Sequence, residues 1–481
     1  MVEHSYDPIY YEIFENVKGI ITNAKNLSKE LRDILSQYIR SVEVSPLSEK
    51  RACYAIDGTL TYDVGTGFVV YNVAAEAIPI NTRGRVSIEN MFLMIPTRDI
   101  KDRVANRMHT LESVAGIKST EGAPEVILVD GLISTQIFKL LRNLYTRFRL
   151  GSGDKEDFTT TINDISKDIE DHWYTLLDQF KLSQKISQNE KIKSLFFSEA
   201  GSKDVLDALA NYFVQGDSIE SHKKHIAIEN AMLTLEVLEG IITREMLIKE
   251  AKNHEVNVVG IAKKSSGYSL RNSREVLRIL GVGSEVLENI QNVSDIILAT
   301  LLLDQNKREF VVSPLFYVYY MEHITKRIRD SSELVKDIAP NVASLAELAT
   351  KIHEKHIRIP KDYEALSEEM VRHNFYVGYA RFAPHQRPYK FEVLLHKKDL
   401  EDLMGFVFSI SKSGYPQPLS LADAAVKKPY ELMPTLSGVL SLFVKKHFSK
   451  EDEKVVADLI INQLIGPYRG HLARSRSTFT S

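Results

Sequence analysis

Apolar residues recur three and four apart between residues 8 and 40 (Ile9, Ile13, Val17, Ile20, Ile21), which predicts one long amphipathic helix. From Cys53 the texture changes to strand. Thr66 to Ile78 is rich in β-branched and aromatic residues, and Val86 to Ile95 continues a sheet. Ile100, Val104, Met108 and Leu111 then mark the apolar stripe of a helix from Arg98 to Gly116, with Glu112 at the edge of that stripe. Glu125 to Val129 reads as a buried strand, and Ile133 to Arg149 as the helix leaving its end.

Residues 151 to 222 open Gly-Ser-Gly-Asp and carry Ile162, Ile165, Ile169, Trp173, Leu176 and Phe180 at helical spacing. They read as a segment of several helices packed beside the sheet, with His172 a boundary residue. The absence of proline between Pro124 and Pro314 supports the helical reading. Ile226 to Lys252 is a further long helix feeding a strand, Val256 to Ala262. Phe375 to Phe382 and Tyr389 to Leu395 read as strands, and a helix starts from Asp399. Gly414 and Pro416 interrupt that helix, and Pro418 suits the first turn of the next, one turn before Asp423. The expected architecture is α/β, a mixed sheet flanked by helices. Its parts are an N-terminal helical segment (1–50), a first half of the core (51–150), a helical insertion (151–222), a second half of the core (223–440), and a C-terminal helix with a basic tail (441–481).

A length of 481 residues suggests two or three folding units, at a prior of one per ~150 residues. The formal net charge of −3 argues against indiscriminate coating of nucleic acid and leaves local basic grooves open. One cysteine, Cys53, excludes an intramolecular disulfide and a cysteine-based zinc cluster, and suits a reducing cytosol. No N-terminal apolar signal region is visible. No apolar stretch reaches the ~18 residues of a spanning helix, so a soluble, cytoplasmic protein without a membrane partner is expected. The tail after Gly466 holds Arg469, Arg474 and Arg476 and no acidic residue; a solvated end and a contact with DNA backbone both remain open.

The candidate chemistry lies in two Asp-Gly pairs, each closing a short apolar run: Asp57-Gly58 and Asp130-Gly131. Taken singly, either is a strand entering a turn. Both together, with Glu112 on the helix between them, bring carboxylates from two strands and a helix. Such carboxylates repel unless a cation neutralises them. A hard divalent metal suits them, and phosphoryl transfer is its natural chemistry. Lys263 and Lys264, at the exit of the 256–262 strand, read either as a solvated pair or as a phosphate holder. Asp423 reads either as a complement to its helix dipole or as a fourth carboxylate of the metal site.

Ala55-Ile-Asp57-Gly-Thr resembles the first motif of haloacid-dehalogenase phosphatases, but Ala55 stands where that family carries its nucleophilic aspartate, which rejects the reading. Asp63-Val-Gly-Thr-Gly resembles the phosphate hairpin of the actin superfamily, without the second phosphate loop that family requires. No P-loop sequence occurs. The order Asp57, Glu112, Asp130, Lys263 and then Gly-Tyr415-Pro-Gln-Pro-Leu-x-x-Ala-Asp423, with Tyr376 to Val393 before it, resembles the NurA nuclease family over about residues 50–150 and 225–430.

That family, mainly archaeal, implies a ribonuclease-H-like core and a manganese- or magnesium-dependent DNase with two ions. Asp57, Glu112, Asp130 and Asp423 would be the ligands, Lys263 would act on the scissile phosphate, and Tyr415, Lys264 and Arg381 would contact DNA. It further implies single-strand endonuclease and 5′-to-3′ exonuclease action in end resection and double-strand break repair. The implied assembly is a homodimer docked to a hexameric HerA-type ATP-driven translocase. Gln417 stands where members often carry an aromatic, and Asp423 where they carry an acid or histidine. The unmatched insertion and Gln417 motivate a second reading, a non-catalytic nuclease-like adaptor of the translocase.

Overall fold

The computed structural model describes residues 40–47, 50–64, 69–94, 99–151, 153–180, 191–193, 196–200, 203–214, 221–263, 283–284, 288, 295–304, 306–312, 374–397 and 399–431. It forms two compact units, a larger one of residues 49–260, 330–343 and 417–481 and a smaller one of residues 1–48, 261–329 and 344–416. In chain order the strands are β1 (Arg40–Glu43), β2 (Cys53–Val64), β3 (Val69–Ile80), β4 (Val86–Met94), β5 (Val126–Asp130), β6 (Lys191–Lys193), β7 (Asn257–Ala262), β8 (Glu309–Val312), β9 (Phe375–Arg381), β10 (Tyr389–Leu394), β11 (Ser411–Lys412) and β12 (Tyr415–Pro416). The helices are α1 (Ile100–Thr120), α2 (Ile133–Leu150), α3 (Lys155–Asp178), α4 (Phe197–Ala200), α5 (Lys203–Tyr212), α6 (Ser221–Asn253), α7 (Asp295–Leu302), α8 (Leu400–Ser409) and α9 (Gln417–Glu431).

In the larger unit the strands lie in the order β7-β5-β2-β3-β4-β6. β2, β3 and β4 form an antiparallel meander, while β5 joins β2 in parallel. A parallel neighbour needs a crossover, and α1 supplies it. The expected order is therefore present: a strand with Asp57, two strands, a helix with Glu112, a strand with Asp130. β3 is buried along Val69–Ala77, and both α1 and α9 pack against it and against β2. A strand covered on both faces reads as a continuous apolar run.

α1 is buried through most of its length and packs on the 33-residue α6, so its polar side chains require partners within the core. Arg103 Nε donates to Glu236 Oε2 at 2.7 Å, and Arg107 Nη2 to Glu236 Oε1 at 2.8 Å. Removing one side of such a buried pair costs about 3–5 kcal/mol, because the other charge stays desolvated.

Described residues of the 151–222 segment belong to this unit. Asp154 caps α3, accepting from the Glu156 and Asp157 amides at 2.7 and 3.2 Å. The fully buried Trp173 donates through Nε1 to Glu239 of α6 at 3.1 Å. The segment is not wholly helical, as its sequence predicts, because β6 pairs in parallel with β4 (Ser87 with Lys191) and covers that sheet edge.

In the smaller unit β1-β8-β9-β10 run antiparallel in that order. β11 and β12 form a hairpin whose turn residues Ser413 and Gly414 have φ of 52° and 82°, the two-residue turn that matches strand twist. The helix expected over 8–40 falls on residues 1–39 outside the described set, and Arg40 already belongs to β1. The basic tail and Lys264 also lie outside it. Among the described residues no helix is long and apolar enough to cross a membrane.

Candidate functional site

Asp57 is not at a strand exit. β2 runs on to Val64, so Gly58 makes no turn, contrary to the sequence reading. A β-carbon at residue 58 would lie 2.6 Å from Glu112 Oε1 and 2.7 Å from Met108 Cγ. The missing side chain admits Glu112 from α1. Ile56 faces the same helix, since a β-carbon on Gly116 would lie 3.2 Å from Ile56 Cδ1. Strand alternation then sends the buried Asp57 to the opposite face of the sheet. Glu112 approaches the strand from one side, one residue along from a carboxylate on the other.

The second Asp-Gly pair behaves as the sequence suggests. Asp130 ends β5, and Gly131 takes φ +113° before α2 begins at Ile133. β2 and β5 pair up to Ile56 with Val129. One step further along the same parallel register puts Asp57 level with Asp130. Asp423 lies nearly two turns into α9, which packs on β2, β3 and β5.

These carboxylates are already engaged. Asp57 Oδ1 accepts from the Gly58 amide at 2.8 Å, and Glu112 Oε2 contacts His109 Nδ1 at 2.6 Å. Asp423 Oδ1 pairs with Lys427 Nζ at 2.6 Å. Among the described residues no three His, Cys, Asp or Glu side chains stand close enough to hold an ion. In kind the donors suit a hard divalent cation, being carboxylate oxygens only; Asp57 and Asp130 come to one level of two neighbouring strands, whereas Glu112 reaches the sheet from the other face. Cys53 is fully buried and burial pushes its thiol up to about 12, so it is a core residue and not a nucleophile.

Sequence reasoning passed over the surroundings of Glu112. His109 stands three residues before it on the same helix face, a spacing that brings side chains together. Gln136 Nε2 lies 3.2 Å from the same His109 nitrogen, and Arg244 Nε donates to Gln136 Oε1 at 3.1 Å. These residues line a cleft of about 440 Å³ together with Lys139 and Arg142. Deeper in the unit, Glu199 and Glu236 share the guanidinium groups of Arg103 and Arg107, and Glu239 beside them accepts from Trp173, Ser198 and the Phe197 amide. Arg107 bridges Glu199 and Glu236. Burial and the neighbouring Glu239 and Glu236 push Glu199 up to about 9, and the two arginines hold Glu236 down to about 2 against its own burial.

In the smaller unit Lys263 Nζ sits 5.5 Å from the Tyr415 ring centroid, and Tyr415 meets Tyr389 at 5.2 Å. Arg387, exposed, lies 5.3 Å over Tyr389 and donates to the Lys263 carbonyl at 3.0 Å. Arg381, expected as a DNA contact, is 2% exposed. Its guanidinium donates to the carbonyls of Gln386 (2.7 Å), Thr300 and Leu303 (3.4 Å each). It ties β9 to the end of α7 and is closed off from a strand of DNA.

A family model described as the NurA domain matches residues 51–427. A crystal structure of NurA bound to dAMP and manganese is similar at 15% identity, with 95% of this chain and 99% of that chain covered and a TM-score of 0.55. A structure of NurA with manganese is similar at 16% identity over 92% of this chain and 99% of that one, also at 0.55. At those identities the likeness shows the fold. No curated protein matches. With the family model spanning residues 51–427, the chain belongs to the NurA family.

Proposed function

We propose that this chain is a divalent-metal-dependent deoxyribonuclease in which Asp57, Glu112, Asp130 and Asp423 hold two manganese or magnesium ions. The observation that carries the reading is the level placement of Asp57 and Asp130 on neighbouring parallel strands; Glu112 approaches Gly58 from the other face of the sheet, and its part in the same centre follows the family. The chain belongs to the NurA family, and a similar NurA structure was solved with dAMP and manganese, which supports both the substrate class and the cofactor.

Bound divalent cations supply an activated water and charge stabilisation on the leaving oxygen. The chain's own part is to bind and orient. Glu112 is held by its His109 contact, so one carboxylate oxygen has a fixed position. Lys263 steadies the scissile phosphate through its charge. Tyr415 stacks on a nucleotide base, and Lys264 adds a phosphate contact. The finer reading follows the family: single-strand endonuclease and 5′-to-3′ exonuclease action, end resection in double-strand break repair, a cytoplasmic homodimer, and a HerA-type hexameric translocase that feeds DNA inward.

A manganese titration with a single-stranded oligonucleotide tests this. Wild type should cut, and Asp57→Ala and Asp130→Ala should be inactive while circular dichroism and oligomeric state are unchanged. Retained cutting in both variants removes the proposed centre. That no three His, Cys, Asp or Glu side chains among the described residues stand close enough to hold an ion favours the second reading, a non-catalytic adaptor of the translocase. That reading predicts no metal-dependent cutting by the wild type and intact translocase binding.

A further inference from the structure

We propose that Arg387 is a phosphate contact for a single DNA strand, seated on the Tyr389 ring and completing a cluster of two cations and two rings with Lys263 and Tyr415. The inference rests on reading single-stranded DNA as the substrate, and it uses no proposed metal ligand. All four residues belong to the smaller unit. The three stretches that supply them, 256–264, 382–391 and 411–418, hold Lys263, Lys264, Arg387, Lys390 and Lys412 and no Asp or Glu. A patch of one sign draws in a polyanion.

Backbone and packing bring these stretches together. Gly414, at φ 82°, turns the β11–β12 hairpin. A β-carbon there would lie 2.8 Å from Gln386 Cγ, so the bare backbone seats the turn against the loop between β9 and β10. Tyr415, the next residue, then meets Tyr389 at 5.2 Å. Tyr389 itself packs at 5.9 Å on the fully buried Phe382, which ties the platform to the core. The buried Arg381 holds the same loop from within, donating to the Gln386 carbonyl at 2.7 Å. Arg381 is thus an anchor, and the cation six positions on is the exposed one.

The Arg387 guanidinium lies 5.3 Å from the Tyr389 ring centroid and spends one N–H on the Lys263 carbonyl, at 3.0 Å. Among the described residues no carboxylate pairs with it. A guanidinium carries five N–H donors in a planar fork that matches two phosphate oxygens at once. The ring and the carbonyl already restrict the side chain, so less freedom is lost when a phosphate binds.

A simpler role for Arg387 is to clamp the exit of β7 to the loop, and stability alone would then suffer. The test is fluorescence anisotropy of a labelled single-stranded oligonucleotide on the full chain, with chelator present, titrated in salt beside thermal unfolding. Arg387→Gln should weaken binding at low salt and lower the logarithmic salt slope by about 0.7, the single-strand value for one phosphate contact. Arg387→Lys keeps the charge and should keep the slope. A wild-type slope in Arg387→Gln, with or without a lower unfolding temperature, overturns the proposal, as does a wild type that binds no strand. A slope lost in Arg387→Gln while the wild type cuts nothing in manganese supports the contact and removes the nuclease reading instead.

Discussion

Gly58 and Glu112 are complementary: the residue without a side chain on β2 lies against the carboxylate that α1 delivers, with only 2.6 Å between Oε1 and the place a β-carbon would occupy. Gly58→Ala must therefore move Glu112 and Met108. Both obstructing atoms belong to flexible side chains, so the fold should survive with a loss of about 1–3 kcal/mol. Manganese-dependent cutting should fall at least tenfold, more than a stability loss of that size explains in a protein still folded at the assay temperature. Unfolding curves beside metal titrations of the same variant check this, and unimpaired cutting would separate Glu112 from the chemistry.

Asp423 and Lys427 form an i, i+4 pair with both side chains about one-third exposed. Pairs of this kind contribute about 0.3–0.5 kcal/mol, so an incoming cation displaces the lysine easily. Lys427→Met should lower the manganese concentration for half-maximal cutting by about twofold, whereas Asp423→Ala should raise it. A metal titration of the two variants reads both directions. Identical midpoints in wild type, Lys427→Met and Asp423→Ala would place Asp423 outside the metal site.

What was legible in the chain was whatever depends on local pattern. The β-branched and aromatic content of 69–94 gave two strands, the stripe from Ile100 gave α1, and Asp130-Gly131 gave a strand end with a positive-φ glycine. What was not legible depends on partners distant in sequence. Gly58 reads as a turn because its reason, Glu112, lies 54 positions away (112 − 58). Arg381 is expected at DNA because the carbonyls it serves, Thr300 in α7 and Leu303 just after it, are distant in sequence. β6 is too short for any periodicity and exists because β4 offers it an edge. His109 was within reach of sequence reasoning, three residues before a carboxylate already singled out. Nothing local marked Gln136 and Arg244, whose contacts join three separate helices.

Glu199 makes the larger unit sensitive to alkali. Its carboxyl is pushed up to about 9 in the folded chain from a usual 4.5. Below the usual value it is protonated folded and unfolded alike, and its environment costs nothing. Above it the unfolded chain releases a proton that the folded chain keeps, so stability falls as pH rises and stops falling once the folded group ionises near 9. The slope is at most about 1.4 kcal/mol per pH unit. Glu199→Gln holds the neutral form at every pH and should flatten the decline. Urea unfolding of wild type and variant between pH 5 and 9 checks this; parallel curves would mean that the proton sits elsewhere among Glu199, Glu236 and Glu239.

Tyr415 opens β12 directly after the hairpin turn, with Lys263 on its ring and Tyr389 beside it. An aromatic platform flanked by cations favours unpaired bases, because a duplex keeps its bases stacked on one another. Stacking is worth about 1–3 kcal/mol per base, so Tyr415→Ala should weaken single-strand binding by about 5- to 150-fold and leave duplex binding almost unchanged. Tyr415→Phe keeps the ring and should bind like wild type. Lys263→Met should lessen the salt dependence by about 0.7 in logarithmic slope, the single-strand value for one phosphate contact. Fluorescence anisotropy with chelator present reads binding without cleavage. An equal loss on single and double strands would reduce Tyr415 to a packing residue of the turn and leave strand preference to other parts of the chain.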